Sequence, residues 1–182
     1  MTPPTKLEWI LLVAQLPASA STARVALWRR LRAAGATSVE HGAWMLPARS
    51  NHQELMSELA ETVRKNGGSA NLFDAHAQAD DTEMIARFAA DRAREYQEFA
   101  TRSQGLLDEI AKEIAAKKFT FAELEEIEDD LKKLETWLTK IAVRDFFAGG
   151  AQATANNQLT QCCDAVERFS ARVFEVEGLQ PK

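Results

Sequence analysis

LEWILLVAQLPASASTARVALWRRLRAAG, residues 7–35, contains the two patterns that decide the fold of the first half of the chain. Its first ten residues, 7–16, form a nearly continuous apolar run, and a turn-forming segment that begins at Pro17 follows. A short apolar run bounded by a turn signal predicts a buried β-strand. Residues 21–34 then carry apolar side chains at helical spacing and are followed by Gly35, so we expect a helix directly after the strand.

The segments that follow complete a β-α-β-β-α-β order. Two short strand-like stretches flank His41-Gly42, so residues 37–47 predict a hairpin. Residues 52–68 have helical periodicity and end in a glycine pair, and residues 69–77 predict a fourth strand. This is the element order of the ferredoxin-like arrangement, an antiparallel sheet with two helices on one face. We therefore predict an α+β domain over residues 1–78.

Three long helices are predicted for the second half of the chain. Residues 82–117 contain no proline and one glycine, and the next helix has a clear start, because Thr120 and Glu123 form a capping-box pattern. The two later helices carry apolar stripes with a 3-4-3-4-3 spacing: Leu124, Ile127, Leu131, Leu134, Leu138 and Ile141, then Leu159, Cys162, Val166, Phe169, Val173 and Val176. Such stripes joined by short loops pack as an antiparallel bundle, which we predict over residues 79–178.

Two charged residues interrupt these stripes. Arg92 falls between apolar positions of the first long helix, and Asp145 follows the stripe of the second. Because helices joined by a tight turn run antiparallel, we expect Arg92 and Asp145 to pair near the open end of the bundle. A structural pair that sets the register is the favoured interpretation, and a ligand-binding role is the alternative.

Charge is unevenly distributed along the 182 residues, whose formal net charge is −5. Residues 1–70 have a net charge of +3 and residues 71–182 a net charge of −8. An anionic partner is therefore expected at the N-terminal part. The N-terminal apolar run is too short to span a membrane and lacks a basic leader, so we expect a cytoplasmic protein with no membrane partner.

The residues that usually carry enzyme chemistry show no motif. His41, His52 and His76 lie at no metal-binding spacing, and the chain has no glycine-rich nucleotide loop or nucleophile elbow. Cys162 and Cys163 are adjacent, so they predict no disulfide, and one of them lies in an apolar stripe. We interpret them as small buried side chains, with a redox pair as the alternative. The sequence thus predicts no metal and no cofactor.

The first helix is the strongest functional lead. A helical wheel places Trp28 and Leu31 towards the sheet. Arg29 and Arg32 project to one side of the helix, and Arg30 projects to the other. These three arginines are explained by a solvated helix flank, and the same flank is a candidate DNA-contacting surface.

Arg24 calls for a compensating group. It lies in the first turn of the helix, where a cation opposes the helix dipole. The preceding small residues offer hydroxyls and backbone N–H groups that suit a tetrahedral anion. Ser19, Ser21, Thr22, Arg24 and Trp28 are therefore a candidate oxyanion or phosphate site. A serine N-cap with an Arg24–Trp28 stack is the alternative explanation.

Several segments together resemble the chromate-resistance protein ChrB family. They are WILLVAQLPASASTARVALWRRLRAAGATSVEHGAWMLP (9–47), FAADRAREYQEFA (88–100), FTFAELEEIEDDLKKLETWL (119–138) and KIAVRDFF (140–147). The first carries the family's Trp-containing strand, its Leu-Pro turn, its R-x-x-x-W-R-x-L helix and its G-x-[WY]-x-L-P segment. The resemblance covers most of the chain.

The resemblance implies a cytoplasmic bacterial protein that is encoded with a chromate efflux pump and regulates that operon in response to chromate. Longer members carry a further C-terminal domain. Any sensing or enzymatic role of that domain is therefore not expected of residues 1–182. The first half is also similar to the ferredoxin-like domains of PaaX-type repressors and of small CRISPR-associated nucleases. Those nucleases hold a metal with an Asp at the end of the first strand, and LLVAQLPA (11–18) has none. No nuclease activity is therefore expected. We also expect no winged helix of the PaaX type, so DNA binding is not assigned to a known motif.

Three functions remain open at this point. The first is a regulator that binds operator DNA through the basic helix, with a homodimer presenting two such surfaces. The second is an accessory protein that binds chromate or a similar oxyanion without DNA. The third and least favoured is a thiol-assisted chromate reductase that uses Cys162 or Cys163.

Overall fold

The computed structural model describes residues 6–178 of the chain. Its elements are β1 (Trp9–Gln15), α1 (Ser21–Ala33), β2 (Thr37–Glu40), β3 (Ala43–Pro47), α2 (Ser50–Lys65), β4 (Ser69–Ala75), α3 (Thr82–Ala115), α4 (Phe121–Val143) and α5 (Gly150–Val176). The predicted order of strands and helices is confirmed, and so is the α+β class.

Two compact units make up the chain. The first contains the residues up to Asp91 together with Arg144–Phe147, and the second contains Arg92–Val143 and the residues from Ala148 onwards. The predicted domains, 1–78 and 79–178, stay a prediction, because compactness alone does not show which part folds independently.

The sheet of the first unit has the strand order β2-β3-β1-β4, and every neighbouring pair is antiparallel. β1 lies inside the sheet, and Leu11 is opposite Met45 of β3 and Phe73 of β4. Pairing on both edges satisfies the backbone of β1, whereas its two faces differ, since Leu12 is fully buried and Val13 is 40 % exposed.

The core of the first unit follows from the alternation of side chains along β1. Ile10 and Leu12 are buried and share one cluster with Leu31 of α1 and with Met56 and Leu59 of α2. Burying each such side chain contributes about 1.5–3 kcal/mol. Buried apolar side chains of α1 and α2 therefore hold both helices against the sheet.

Trp9 joins β1 to the beginning of α3. Its ring stacks on that of Phe88 with 5.5 Å between the centroids. Its indole N–H donates to Asp81 Oδ1 at 2.7 Å, and the backbone N–H of Leu7 donates to the other oxygen of Asp81 at 2.9 Å. The first turns of α3 thus belong to the core of the first unit.

The hairpin turn between β2 and β3 requires a glycine. Gly42 has φ of +80°, and a Cβ atom there would lie 2.7 Å from the carbonyl oxygen of Ala14. That oxygen belongs to backbone, which has little freedom to move away, so a side chain at Gly42 would be strained in conformation and in contact.

In the second unit, α3, α4 and α5 share one apolar core. It includes the buried stripe residues Leu124, Ile127, Leu134, Leu138 and Ile141 of α4 and Cys162, Val166, Phe169 and Val173 of α5. Thr120 precedes α4, and its Oγ1 accepts the backbone N–H of Glu123 at 3.4 Å, as the capping-box pattern predicts.

Among residues 6–178, no helix is both long enough and apolar enough to cross a membrane.

Candidate functional site

The candidate oxyanion residues lie in the turn before α1 and in its first turns. Ser19, Ser21, Thr22 and Arg24 are all exposed. The N-cap residue is Ala20, and no side chain caps the helix, so the serine N-cap considered in the sequence analysis does not occur. The reason is the position of the helix start, which makes Ser21 the first helical residue.

Arg24 is held against the turn by a backbone acceptor. Its Nη1 donates to the carbonyl oxygen of Pro17 at 3.3 Å. Within the described residues, its guanidinium does not stack on Trp28, since the guanidinium–ring contacts are made by Arg49, Arg102 and Arg172. A single carbonyl dipole does not neutralise the guanidinium, so the positive charge of Arg24 stays accessible at the protein surface.

The expected orientation of Trp28 towards the sheet is wrong. Leu31 is fully buried, but 53 % of Trp28 is exposed, and so is 46 % of its neighbour Val25. The buried side of α1 is centred on Leu31 and the half-buried Leu27, four residues before it. Trp28 lies one residue further round the helix and faces water.

The other arginines of α1 differ in how far they are neutralised. Arg30 pairs with Glu58 of α2 at 2.7 Å, and Arg32 lies 3.7 Å from Asp91 of α3. Arg29 is exposed and forms no ion pair with any residue in the range 6–178. Neither carboxylate could be predicted from the sequence, because both lie on other helices and carry no local signal.

A shallow cavity of about 510 Å³ lies close to this turn, lined by Gln15, Leu16, Pro17, Ala18, Gly67, Gly68 and Ser69. None of the four polar candidate residues lines it. Of the turn before α1, only Pro17 and Ala18 line the cavity. The candidate oxyanion residues therefore lie outside the cavity, on the open surface.

The predicted pair of Arg92 and Asp145 stays a prediction. Within its own unit, Arg92 is buried, and its Nη1 lies 3.0 Å from Glu95 Oε1 one turn further along α3. This contact places a carboxylate beside the buried guanidinium, which lowers the free-energy cost of burying the charge.

The two cysteines lie in the helical unit and differ in exposure. Cys162 is fully buried, and its Sγ donates to the carbonyl oxygen of Ser103 at 3.5 Å. Burial raises the pKa of the Cys162 thiol, and the adjacent Cys163 raises it further. Burial also raises the pKa of Cys163, as do Glu135 and Asp164. Higher pKa values reduce the thiolate fraction at neutral pH, which opposes thiol chemistry.

The histidines do not gather into a metal site. No group of three or more His, Cys, Asp or Glu side chains within residues 6–178 could hold a metal ion. His52 is buried, and its Nδ1 is 2.8 Å from the carbonyl oxygen of Pro47, which it can reach only as a donor. His52 therefore has a structural partner.

The chain is similar in sequence to known proteins. No solved structure matches the chain. Protein ChrB of Cupriavidus metallidurans is 37 % identical over 91 residues, which are 50 % of this chain and 28 % of that protein. The chain thus matches less than a third of that relative's length. The family described as Protein ChrB, N-terminal, matches residues 24–180. Because this match spans most of the chain, the chain belongs to the family of the N-terminal part of protein ChrB.

Proposed function

We propose that this protein serves chromate resistance as a chromate-responsive regulator of an efflux operon, and that it contacts operator DNA through the exposed side of α1. Family membership supports the association with chromate resistance. The exposed side of α1 supports the regulatory role and the DNA contact.

The observation that carries the proposal is the composition of the exposed side of α1. The helix contains four arginines and no acidic residue. Arg24 and Arg29 are exposed beside Trp28 and Val25, two large apolar side chains that also face water. Arginine is the preferred partner of phosphate, since its guanidinium donates several hydrogen bonds in one plane. A helix side of this composition suits the phosphate backbone of DNA.

In this proposal chromate affects DNA binding because the anion and the DNA phosphate both bind Arg24. No side chain caps the first N–H groups of α1, and its first turn contains no acidic side chain. A tetrahedral dianion bound there by Ser21, Thr22 and Arg24 would neutralise the charge of Arg24. Chromate and a DNA phosphate would then compete for one guanidinium, and chromate would release the DNA.

An accessory protein that binds the oxyanion alone is the second candidate. Its support is the pairing of Arg30 with Glu58 and of Arg32 with Asp91, which reduces the positive charge that α1 offers to DNA. The net charge of −8 over residues 71–182 also opposes a long DNA contact.

An electrophoretic mobility shift with DNA from upstream of the operon tests the proposal. We expect a shift that chromate reverses. Sulfate, a tetrahedral dianion of similar shape, should reverse it as well, because the proposed competition at Arg24 depends on the charge and shape of the anion. Arg29→Gln should weaken DNA binding about tenfold, the loss of one charge-assisted hydrogen bond. Arg24→Gln should weaken DNA binding and also abolish the response to chromate.

Lys132→Gln is the matched control, because it removes one exposed positive charge from α4. It should shift DNA as the wild type does. If the wild type shifts no DNA but binds chromate in equilibrium dialysis, the oxyanion-binding candidate replaces the regulator. If Lys132→Gln and Arg29→Gln weaken binding equally, α1 is not the DNA-contacting surface.

A further inference from the structure

A second cavity lies within the helical unit, far along the sequence from α1. Its volume is about 740 Å³, and it is lined by Ile114, Lys117, Phe119, Arg168, Arg172 and Val176. Helix α5 contributes three of these residues at intervals of four, so they lie on one face of that helix. Pockets that bind small organic molecules have volumes of about 300–1,000 Å³, and this cavity falls inside that range.

The charge of the lining is of one sign. Lys117, Arg168 and Arg172 are basic and no lining residue is acidic, although residues 71–182 have a net charge of −8. Arg172 pairs with Glu175, and its guanidinium lies over the ring of Phe119. Lys117 and Arg168 form no ion pair with any residue that the structure describes. Two positive charges therefore remain available for an anion.

The rest of the lining is apolar and partly open to water. Ile114 is 45 % exposed and Val176 is 58 % exposed. Phe119 contacts the ring of Phe169, with 5.7 Å between centroids, and so forms an apolar floor that is fixed to the core. Covering Ile114 and Val176 with an apolar group would remove their unfavourable contact with water.

The backbone of Lys117 gives an independent reason to assign a use to its side chain. Lys117 has φ of +54°, and it follows α3 where a helix usually ends in glycine. The N–H of Lys118 donates to the carbonyl of Glu113 at 3.0 Å, and that of Lys117 donates to the carbonyl of Ile114 at 3.1 Å. A lysine is strained in this conformation, whereas glycine is not. Residues held in such conformations cluster at ligand sites, which supports a binding role for the Lys117 side chain.

We propose that this cavity binds an organic anion with an apolar body, in the class of medium-chain or aromatic carboxylates. The carboxylate pairs with Lys117 and Arg168, and the apolar body covers Ile114 and Val176. An inorganic oxyanion leaves the apolar lining exposed, so the site is distinct in chemistry from the start of α1. A flat bilayer surface does not fill a concave site, which favours a single small molecule.

Isothermal titration calorimetry with decanoate and with 2-naphthoate tests this assignment on the full chain. We expect at least one of the two to bind, and the better of them identifies an acyl or an aromatic ligand. Replacing the better probe by its alcohol, 1-decanol or 2-naphthalenemethanol, should weaken binding about tenfold, since the charged contact is lost. Sulfate should not compete.

Two variants of exposed residues decide whether the probe occupies this cavity. Arg168→Gln should weaken binding about tenfold. Val176→Glu should abolish it by placing a charged carboxylate against the apolar body of the probe. Lys132→Gln should bind as the wild type does, and the circular dichroism spectra of all variants should be unchanged. The proposal is overturned if neither carboxylate binds, or if both cavity variants bind as the wild type does. Arg24→Gln should leave this binding intact, which separates it from the proposed function.

Discussion

His52 makes the stability of the first unit depend on pH. Its side chain is only 5 % exposed, and its ring meets that of Phe146 edge-on at 5.1 Å. Burial lowers the pKa of His52, the hydrogen bond to Pro47 partly opposes this, and the positive charge of Arg49 lowers the pKa further. Folding therefore favours the neutral form of the His52 ring.

The direction of the pH effect follows from linkage. An unfolded histidine titrates at about pH 6.5, and the folded one at a lower pH. Stability contributed by the neutral form is complete above about pH 6.5 and is lost as the pH falls from there through the folded pKa. We expect the free energy of unfolding in urea to decrease in this interval.

The variant His52→Gln isolates this contribution. Glutamine cannot titrate, and its amide can still donate to the Pro47 carbonyl, so the loss of stability on acidification should shrink. At about pH 8 the variant should be less stable by about 1 kcal/mol, because it loses the aromatic contact with Phe146. His76→Gln, a change at an exposed histidine, is the control. An unchanged pH dependence in His52→Gln would assign the acid sensitivity to another group.

At the scale of the element, the side chain of Thr120 caps the start of α4. Thr120 Oγ1 accepts the N–H of Glu123, and Thr120 is exposed, so no packing accompanies this bond. We expect Thr120→Ala to destabilise the second unit by about 0.5–1 kcal/mol, and Thr120→Ser to restore most of the loss. Urea unfolding followed by circular dichroism measures the difference.

Thr139→Ala in the same helix is the matched control for this cap. The hydroxyl of Thr139 donates to the carbonyl of Glu135 within the helix, where it satisfies no free N–H group. We expect its replacement to be neutral or slightly stabilising, since alanine has the higher helix propensity. Equal losses in Thr120→Ala and Thr139→Ala would show that the hydroxyl at the helix start has no special role.

The elements of this fold could be predicted because their signals are local. Strand alternation, helical periodicity, glycine stops and the Thr120 cap are each contained within a few residues of sequence, and the elements begin and end close to the predicted positions. Contacts between elements have no such signal. Phe146 and Phe147 follow the apolar stripe of α4, yet their rings pack with Trp9 and Phe88 of the first unit.

The candidate site was predicted less completely for the same reason. The residue types of α1 were evident in the sequence, but Glu58 and Asp91, which pair with Arg30 and Arg32, lie on other helices. The exposure of Trp28 also depends on which side of α1 faces the core. A helical wheel alone does not decide whether Leu27 or its neighbour Trp28 is the more buried. Pairing and exposure had to come from the structure.

The charge of the whole molecule predicts how its DNA affinity should depend on salt. Each phosphate contact releases counterions, so the logarithm of affinity falls with the logarithm of salt concentration by about 0.9 per contact. Residues 1–70 have a net charge of only +3, and two arginines of α1 are already paired within the first unit. We therefore expect a shallow slope of about 2 per bound copy, from Arg24 and Arg29.

Arg29→Gln should reduce that slope by about 1 per copy, and the loss should be the same on every DNA sequence, since a phosphate contact carries no sequence information. Lys132→Gln should leave the slope unchanged, because α4 belongs to the acidic part of the chain. Fluorescence anisotropy across a series of salt concentrations measures both slopes. A steep wild-type slope that Arg29→Gln does not change would place the DNA on basic residues other than those of α1. The modest charge of the first unit would then have to be supplemented by a second copy.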